Sequence, residues 1–266
     1  MRRVVLSALL FTALPVAALA AASPGWYALQ PENTLVIETT KGRIVVEMRP
    51  DFAPLAVARI RLLSREHVYD GLLFHRVLDH FVDQTGNPNN HDGGVSAHPN
   101  LPPEFFTTLS TAQMDAVATR ASDATTGFVG VQPFVAAPLL GHPGKWKVWG
   151  AYCAGVAGMG RQADINTGNS EIFFMRDSAR RLDHDYTPWG RVVAGLDVVR
   201  AINVGEPPDH PDKMLRVRVM SDMPPADQPK LEVVDTTSPQ FHAAISALRA
   251  KEGADFSLCD VPITTR

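Results

Sequence analysis

Basic charge is in short supply. Lysine and arginine together number 25 against 28 aspartates and glutamates, a formal net charge of −3, so the chain offers no cationic footprint for nucleic acid. Long apolar runs are lacking too. Beyond the N-terminal segment nothing approaches the roughly 20 apolar residues that a membrane-crossing helix needs. Cysteine occurs only as Cys153 and Cys259. Neither lies just after the apolar N-terminal run, which excludes lipid attachment there, and their distance in sequence leaves open whether their Cα atoms come within bridging reach. His91, His98 and His142 follow no zinc-ligand spacing and sit among loop-forming residues. Gly155, Gly158 and Gly160 are out of order for a dinucleotide-binding turn, and no βαβ pattern follows them. No metal and no cofactor is implied, and no internal repeat is present.

What is present starts at the N-terminus. Met1-Arg2-Arg3 precedes an uncharged apolar run over 4–18, which ends in Ala18-Leu19-Ala20. A positive start, a short apolar core and a small-x-small exit describe a secretory signal peptide over 1–20, and the run is too short for a comfortable permanent anchor. Cleavage after Ala20 would leave a periplasmic or secreted protein without a membrane anchor, in a compartment oxidising enough to let the cysteines pair.

The remaining composition, 45% hydrophobic and 20% charged over the whole chain, is that of a globular protein. Thr34–Thr39 and Gly42–Met48 are β-rich runs around a tight turn and predict a hairpin. Pro54 opens a segment whose apolar residues Ala56, Ile60 and Leu63 recur at helical spacing, while Arg59, Arg61 and Arg65 face outward. Further short strands are predicted over 72–77, 81–84, 154–159, 171–175, 189–193 and 215–220, with a helix over 196–202. Many short strands with two helices argue for a mainly β barrel or sandwich. The domain is expected over 33–222, interrupted by an irregular insertion over about 107–145 with one helix at 111–121. An extension over 223–266 follows, with a strand near 231–234 and a helix over 241–251 that Ser238 caps and that docks by Phe241, Ile245 and Leu248.

Three blocks carry the chemistry. The first is Phe74-His75-Arg76-Val77-Leu78 followed by Phe81-Val82 and Gln84-Thr85-Gly86, led in by Tyr69-Asp70-Gly71-Leu72. Gly158-Met159-Gly160-Arg161 and Asn166 to Met175 form the second, and Leu182-Asp183 with Tyr186 to Val192 the third. In this order they resemble the signature of the cyclophilin-type peptidyl-prolyl isomerases over roughly 35–221, apart from the insertion. The resemblance implies an eight-stranded antiparallel barrel capped by two helices, and a monomer that acts on proline-containing polypeptides. It makes Arg76 catalytic and gives the substrate groove to His75, Phe81, Val82, Gln84, Gly160, Arg161, Glu171, Phe173, Leu182 and Tyr186. A proline-binding module with little catalysis is the alternative, and retention of Arg76, Phe81, Gln84 and Phe173 favours the enzyme.

Physical chemistry asks for these residue types independently. Resonance sets a barrier of roughly 18–20 kcal/mol to peptide rotation. Lowering it requires no nucleophile, only that the twisted amide be held better than the planar one. An arginine donor facing the prolyl nitrogen does this, because that lone pair becomes available only once resonance is broken. The opposite wall departs from the common family pattern: Gly160 replaces an alanine, Arg161 an asparagine and Glu171 a glutamine. As a carboxylate, Glu171 would accept hydrogen bonds and donate none. Arg181 stands where many cyclophilins carry an aromatic residue that binds cyclosporin. Weak cyclosporin affinity is therefore expected in an inhibition titration, and nanomolar inhibition would refute it.

Overall fold

The structure is a computed structural model that describes residues 24–91, 93–119 and 125–266; the expected signal peptide over 1–20 lies outside them. In chain order the strands are β1 (Trp26–Ala28), β2 (Thr34–Thr39), β3 (Gly42–Met48), β4 (Arg76–Leu78), β5 (Val82–Thr85), β6 (Thr107–Ser110), β7 (Asp115–Thr119) and β8 (Thr125–Val129). There follow β9 (Gln132–Pro138), β10 (Lys145–Gly150), β11 (Val156–Met159), β12 (Ile172–Met175), β13 (Thr187–Ala194), β14 (Met214–Val219) and β15 (Glu232–Val234). The α-helices are α1 (Pro54–Arg65), α2 (Leu196–Ala201) and α3 (Pro239–Glu252). No described helix is long and apolar enough to cross a membrane.

Eight strands form one antiparallel sheet in the order β14-β2-β3-β13-β11-β12-β5-β4. The sheet curls until its outer strands meet. Just ahead of β4 and β14, the Gly71 amide donates to the Met214 carbonyl at 2.7 Å, Met214 to Leu72 at 2.9 Å and Phe74 to Asp212 at 2.9 Å. Pairing the two edges in this way removes a free sheet edge. The interior is filled from alternate positions, among them Leu35, Ile37, Ile44, Val46, Phe74, Phe174 and Trp189. Helix α1 adds Ala56, Val57, Ile60 and Leu63, and α2 adds Val199. The outer face is partly covered as well: Val36 packs on Met220 and Met223, and Val45 on Leu29, Val131 and Val193. That double burial is why β2 and β3 read as nearly continuous apolar runs.

The insertion is more ordered than the sequence suggests, and over its described residues, 111–119, the helix predicted at 111–121 is replaced by a turn and a strand. Ser110 and Gln113 close a single 3-10 turn over Thr111–Gln113, after which β7 pairs with β8. The helix-favouring Ala, Gln and Met residues set only a weak local preference, which hairpin pairing overrides. Together β6-β10-β9-β8-β7 make a five-stranded sheet running from Thr107 to Gly150, with Phe52, Leu109, Phe134, Ala136 and Val148 in a small core. Strand β1, unforeseen because three residues carry no pattern, pairs with β15 some two hundred positions later.

The C-terminal extension docks on the outside of the barrel, against side chains that point away from its interior. Ser238 Oγ accepts the Phe241 amide at 3.2 Å and caps α3. Phe241, Ile245, Leu258 and Val261 then bury against Phe128, Tyr152, Phe173 and Val82. Cys153 and Cys259, whose pairing the sequence left open, are bonded with Cα atoms 5.0 Å apart across 106 residues. Closing a loop of this length stabilises by about 4–5 kcal/mol in the chain-entropy account. Reduction, or a Cys153→Ser/Cys259→Ser pair, should therefore lower the melting temperature by about 10 °C. If reducing and non-reducing gels of the denatured protein show one mobility and free thiols titrate, the bridge is absent.

Candidate active site

The register of four strands places the central side chains. Arg76 on β4 lies opposite Gln84 on β5, Gln84 opposite Phe173 on β12, and Phe173 opposite Gly158 on β11. Laterally paired residues point to the same side of a sheet, so Arg76, Gln84 and Phe173 share one face, away from the barrel interior. Their sequence neighbours Val77 and Phe174 point inward and are fully buried in the core. The expectation that Phe173 serves the groove while Phe174 serves the core agrees with this alternation.

Glycines on β11 and just after it make room for side chains of the facing segment. A Cβ on Gly158 would stand 2.2 Å from the end of the Phe173 ring, so the ring lies across bare backbone. A Cβ on Gly160 would stand 2.6 Å from Glu171 Oε1. The alanine common at this position would therefore collide with the glutamate that replaces the usual glutamine.

The side chains of the row are tied by charge-assisted hydrogen bonds. Arg76 donates through Nη1 to Gln84 Oε1 and through Nε to Glu206 Oε1. The other end of the Gln84 amide donates from Nε2 to Glu171 Oε1 at 2.7 Å. Asn87 donates to the second oxygen of Glu171 at 3.3 Å, and His75 Nε2 stands 3.8 Å from it. Since the carboxylate only accepts, it compels Gln84 to present its N–H₂ there and its carbonyl to Arg76. The guanidinium is thus held from two sides, and its Nη2 has no partner among the described residues. Behind the row, Asp83 pairs with Arg176 at 2.8 Å. Burial pushes the Asp83 carboxyl up against the pull of Arg176.

Arg76, Phe81, Val82, Gln84, Phe173, Leu182 and Tyr186 line a single small cleft. Phe173 meets Tyr186 edge-on at 5.5 Å and stacks on the buried Tyr152 at 5.8 Å. Desolvation holds the Tyr152 phenol well above its ordinary range, so it serves as a neutral support. An apolar cup with one cation at its rim suits a proline ring next to a polar amide.

Not every residue expected at the groove lies in that cleft. Gly160 and Arg161 line an adjoining pocket with Leu101, Pro102, Phe105 and Ile165. His75, expected to line the groove, does not border that cleft and is buried just ahead of β4, beside Glu171. Glu171 is likewise buried behind Gln84. Sequence reasoning missed Glu206, a loop carboxylate 130 residues from the arginine it holds, and also Asn87 and Tyr152. Only Asn87, close after Gln84, had any local cue. Of the three histidines set aside as metal ligands, His98 pairs with Glu66 at 2.8 Å. Among the described residues no group of three or more His, Cys, Asp or Glu is placed to hold a metal ion.

Comparison with known proteins places the chain in a family. The model of the family described as cyclophilin type peptidyl-prolyl cis-trans isomerase/CLD matches residues 34–221. A probable peptidyl-prolyl cis-trans isomerase of Brucella suis is 31% identical over 236 residues, spanning 83% of this chain and 97% of that protein. The crystal structure of cyclophilin AquaCyp293 from Hirschia baltica superposes with a TM-score of 0.82 at 31% identity, covering 91% of this chain and 92% of its own. A cyclophilin-type isomerase of Cryptosporidium parvum, at 15% identity and a TM-score of 0.50 over 73% of this chain and 98% of its own, shares the fold alone. The match over the barrel, and the likeness that extends through the added segments, make this chain a member of the cyclophilin-type peptidyl-prolyl cis-trans isomerase family.

Proposed function

We propose that Arg76 is the catalytic residue, that the cleft of Phe81, Val82, Phe173, Leu182 and Tyr186 binds the proline ring, and that the protein acts on exported chains outside the cytoplasm. The observation that carries the first part is the clamped guanidinium, fixed through Nε and Nη1 with Nη2 unpartnered among the described residues. When an X-Pro bond twists, conjugation is lost and the nitrogen becomes an acceptor. A donor already in place stabilises that state and does little for the planar one. The apolar cup removes water that would compete for the same lone pair. A preference of about 6 kcal/mol corresponds to roughly 10⁴-fold acceleration.

The extracytoplasmic part rests on the signal-like segment over 1–20 and on the Cys153–Cys259 bridge, since structural disulfides persist in oxidising compartments. Fractionation of cells expressing the full chain tests it. Appearance of the protein only in the cytoplasm, at full length, would refute it.

Two measurements test the chemistry. In a protease-free isomerisation assay, Arg76→Ala should lose about 10²–10³-fold in kcat/KM, as when one fixed transition-state donor is removed. Equal rates for this variant and the parent would sink the assignment. Gly160→Ala places a methyl group against Glu171 and should lower kcat/KM by about tenfold, the scale of one charge-assisted hydrogen bond. Glu171→Ala should do the same, whereas Glu171→Gln, which can still accept from Gln84, should keep most of the activity. Loss of equal size in all three would mean that the site tolerates no change there and that orientation of Gln84 is not the cause.

A further inference from the structure

Besides Arg76, which pairs with Glu206, three cations near the groove lie against aromatic rings and beside no described carboxylate. The Arg181 guanidinium is 4.2 Å from the centre of the Phe81 ring, and Phe81 lines the cleft. Arg161 sits 4.7 Å over Tyr186, another lining residue, and 5.9 Å from Phe105 in the adjoining pocket. On the inserted sheet, Lys147 Nζ stands 3.7 Å over Phe106. Phe106 and Trp149 both lie at a tilt against His184, at 5.5 and 4.3 Å, in the loop between Leu182 and Tyr186. The insertion therefore packs on the loop that joins two residues of the cleft and carries a cation close to it.

The nearby acids are mostly committed. Glu206 is taken by Arg76 and Asp183 by Arg180; Asp164 accepts from Asn166 in its own turn. Asp185 alone offers an exposed carboxylate on this loop, and Arg161 bonds its carbonyl oxygen at 3.1 Å, not its side chain. No described carboxylate forms an ion pair with Arg161, Arg181 or Lys147. Arg181 is exposed and its hydrogen-bond donors have no partner among the described residues. Stacking on a ring holds such a guanidinium in place and leaves its edge free for an anion.

We propose that this rim selects proline segments carrying acidic side chains beside the proline, with Arg161 and Arg181 as specificity-determining residues and Lys147 extending the preference along the inserted sheet. The proposal takes the cleft as the proline site, as read above. It concerns charge at the flanks and leaves the rotation step to Arg76. Exposed charge pairs are individually weak and screened by salt, so the effect is graded, not all-or-none.

The test uses matched proline tetrapeptides with Glu, Gln or Lys placed in turn at each position beside the proline, assayed with the disulfide-bonded protein at low salt. At one or more positions kcat/KM for Glu should exceed that for Lys by about fivefold, with Gln between. The ratio should collapse toward one in Arg161→Gln/Arg181→Gln and in 0.5 M salt, and return in Arg161→Lys/Arg181→Lys. Because the ratio is internal, a general loss of activity does not imitate it. Binding of the same peptides, followed by chemical-shift perturbation, separates this proposal from the catalytic one. Charge-selective binding without turnover would sustain the first and defeat the second. Equal affinity and equal kcat/KM for Glu and Lys peptides, or a ratio untouched by the Gln double variant, would overturn the proposal.

Discussion

The site depends on one line of strand pairing. Arg76, Gln84, Phe173 and Gly158 face one another across β4, β5, β12 and β11, and each follows from its neighbours by backbone register. A slip of one residue in any strand would turn its member of the row into the barrel and bring a core residue out. The apolar interior prevents this, because Val77 and Phe174 would have to leave fully buried positions. Packing energy that has nothing to do with catalysis thus fixes the arginine's place. The barrel core is the source of the site's precision.

Register fixes position but not orientation, and a glutamine amide can turn over at little cost. Here a buried carboxylate makes the choice. Glu171 accepts from Gln84 and Asn87, so the carbonyl of Gln84 is the end left for Arg76. What the sequence offers as a departure, an acid in place of an amide, becomes in the structure the element that polarises the chain of hydrogen bonds. The second departure, Gly160, lies directly against this side chain, just beyond the ends of β11 and β12, so a change at either position bears on the other.

Much of this was legible in the residues. The hairpin β2–β3, helix α1 and the capped helix α3 announce themselves by alternation, helical spacing and Ser238-Pro239, and the structure places all three within a few residues of the expected bounds. The residues of the cleft come from motif spacing, which strand register converts directly into neighbours in space. What stayed hidden was long-range. Glu206 reaches Arg76 from a loop, β1 finds β15 near the other end of the chain, and β7 takes its strand form from β8 against its own helical leaning. Local patterns carry no record of such partners, and Arg161 could be assigned to the groove by motif yet not to the particular ring it covers.

The added segments bear on the site through its supports. Phe173 rests on Tyr152, and Tyr152 belongs to an apolar cluster completed by Phe241, Ile245 and Leu258 of the extension. One residue after Tyr152 stands Cys153, bonded to the turn that follows Leu258. The inserted sheet acts on the other wall, where Trp149 packs on His184 between Leu182 and Tyr186. Floor and wall of the apolar cleft are therefore each backed by a segment outside the barrel strands. For the proposed role, a ring that holds a proline through rotation needs resistance to displacement more than it needs additional contact area, and close-packed backing supplies that resistance. The barrel alone would set the row of side chains; the sheet, the extension and the bridge stiffen the surface against which the amide turns.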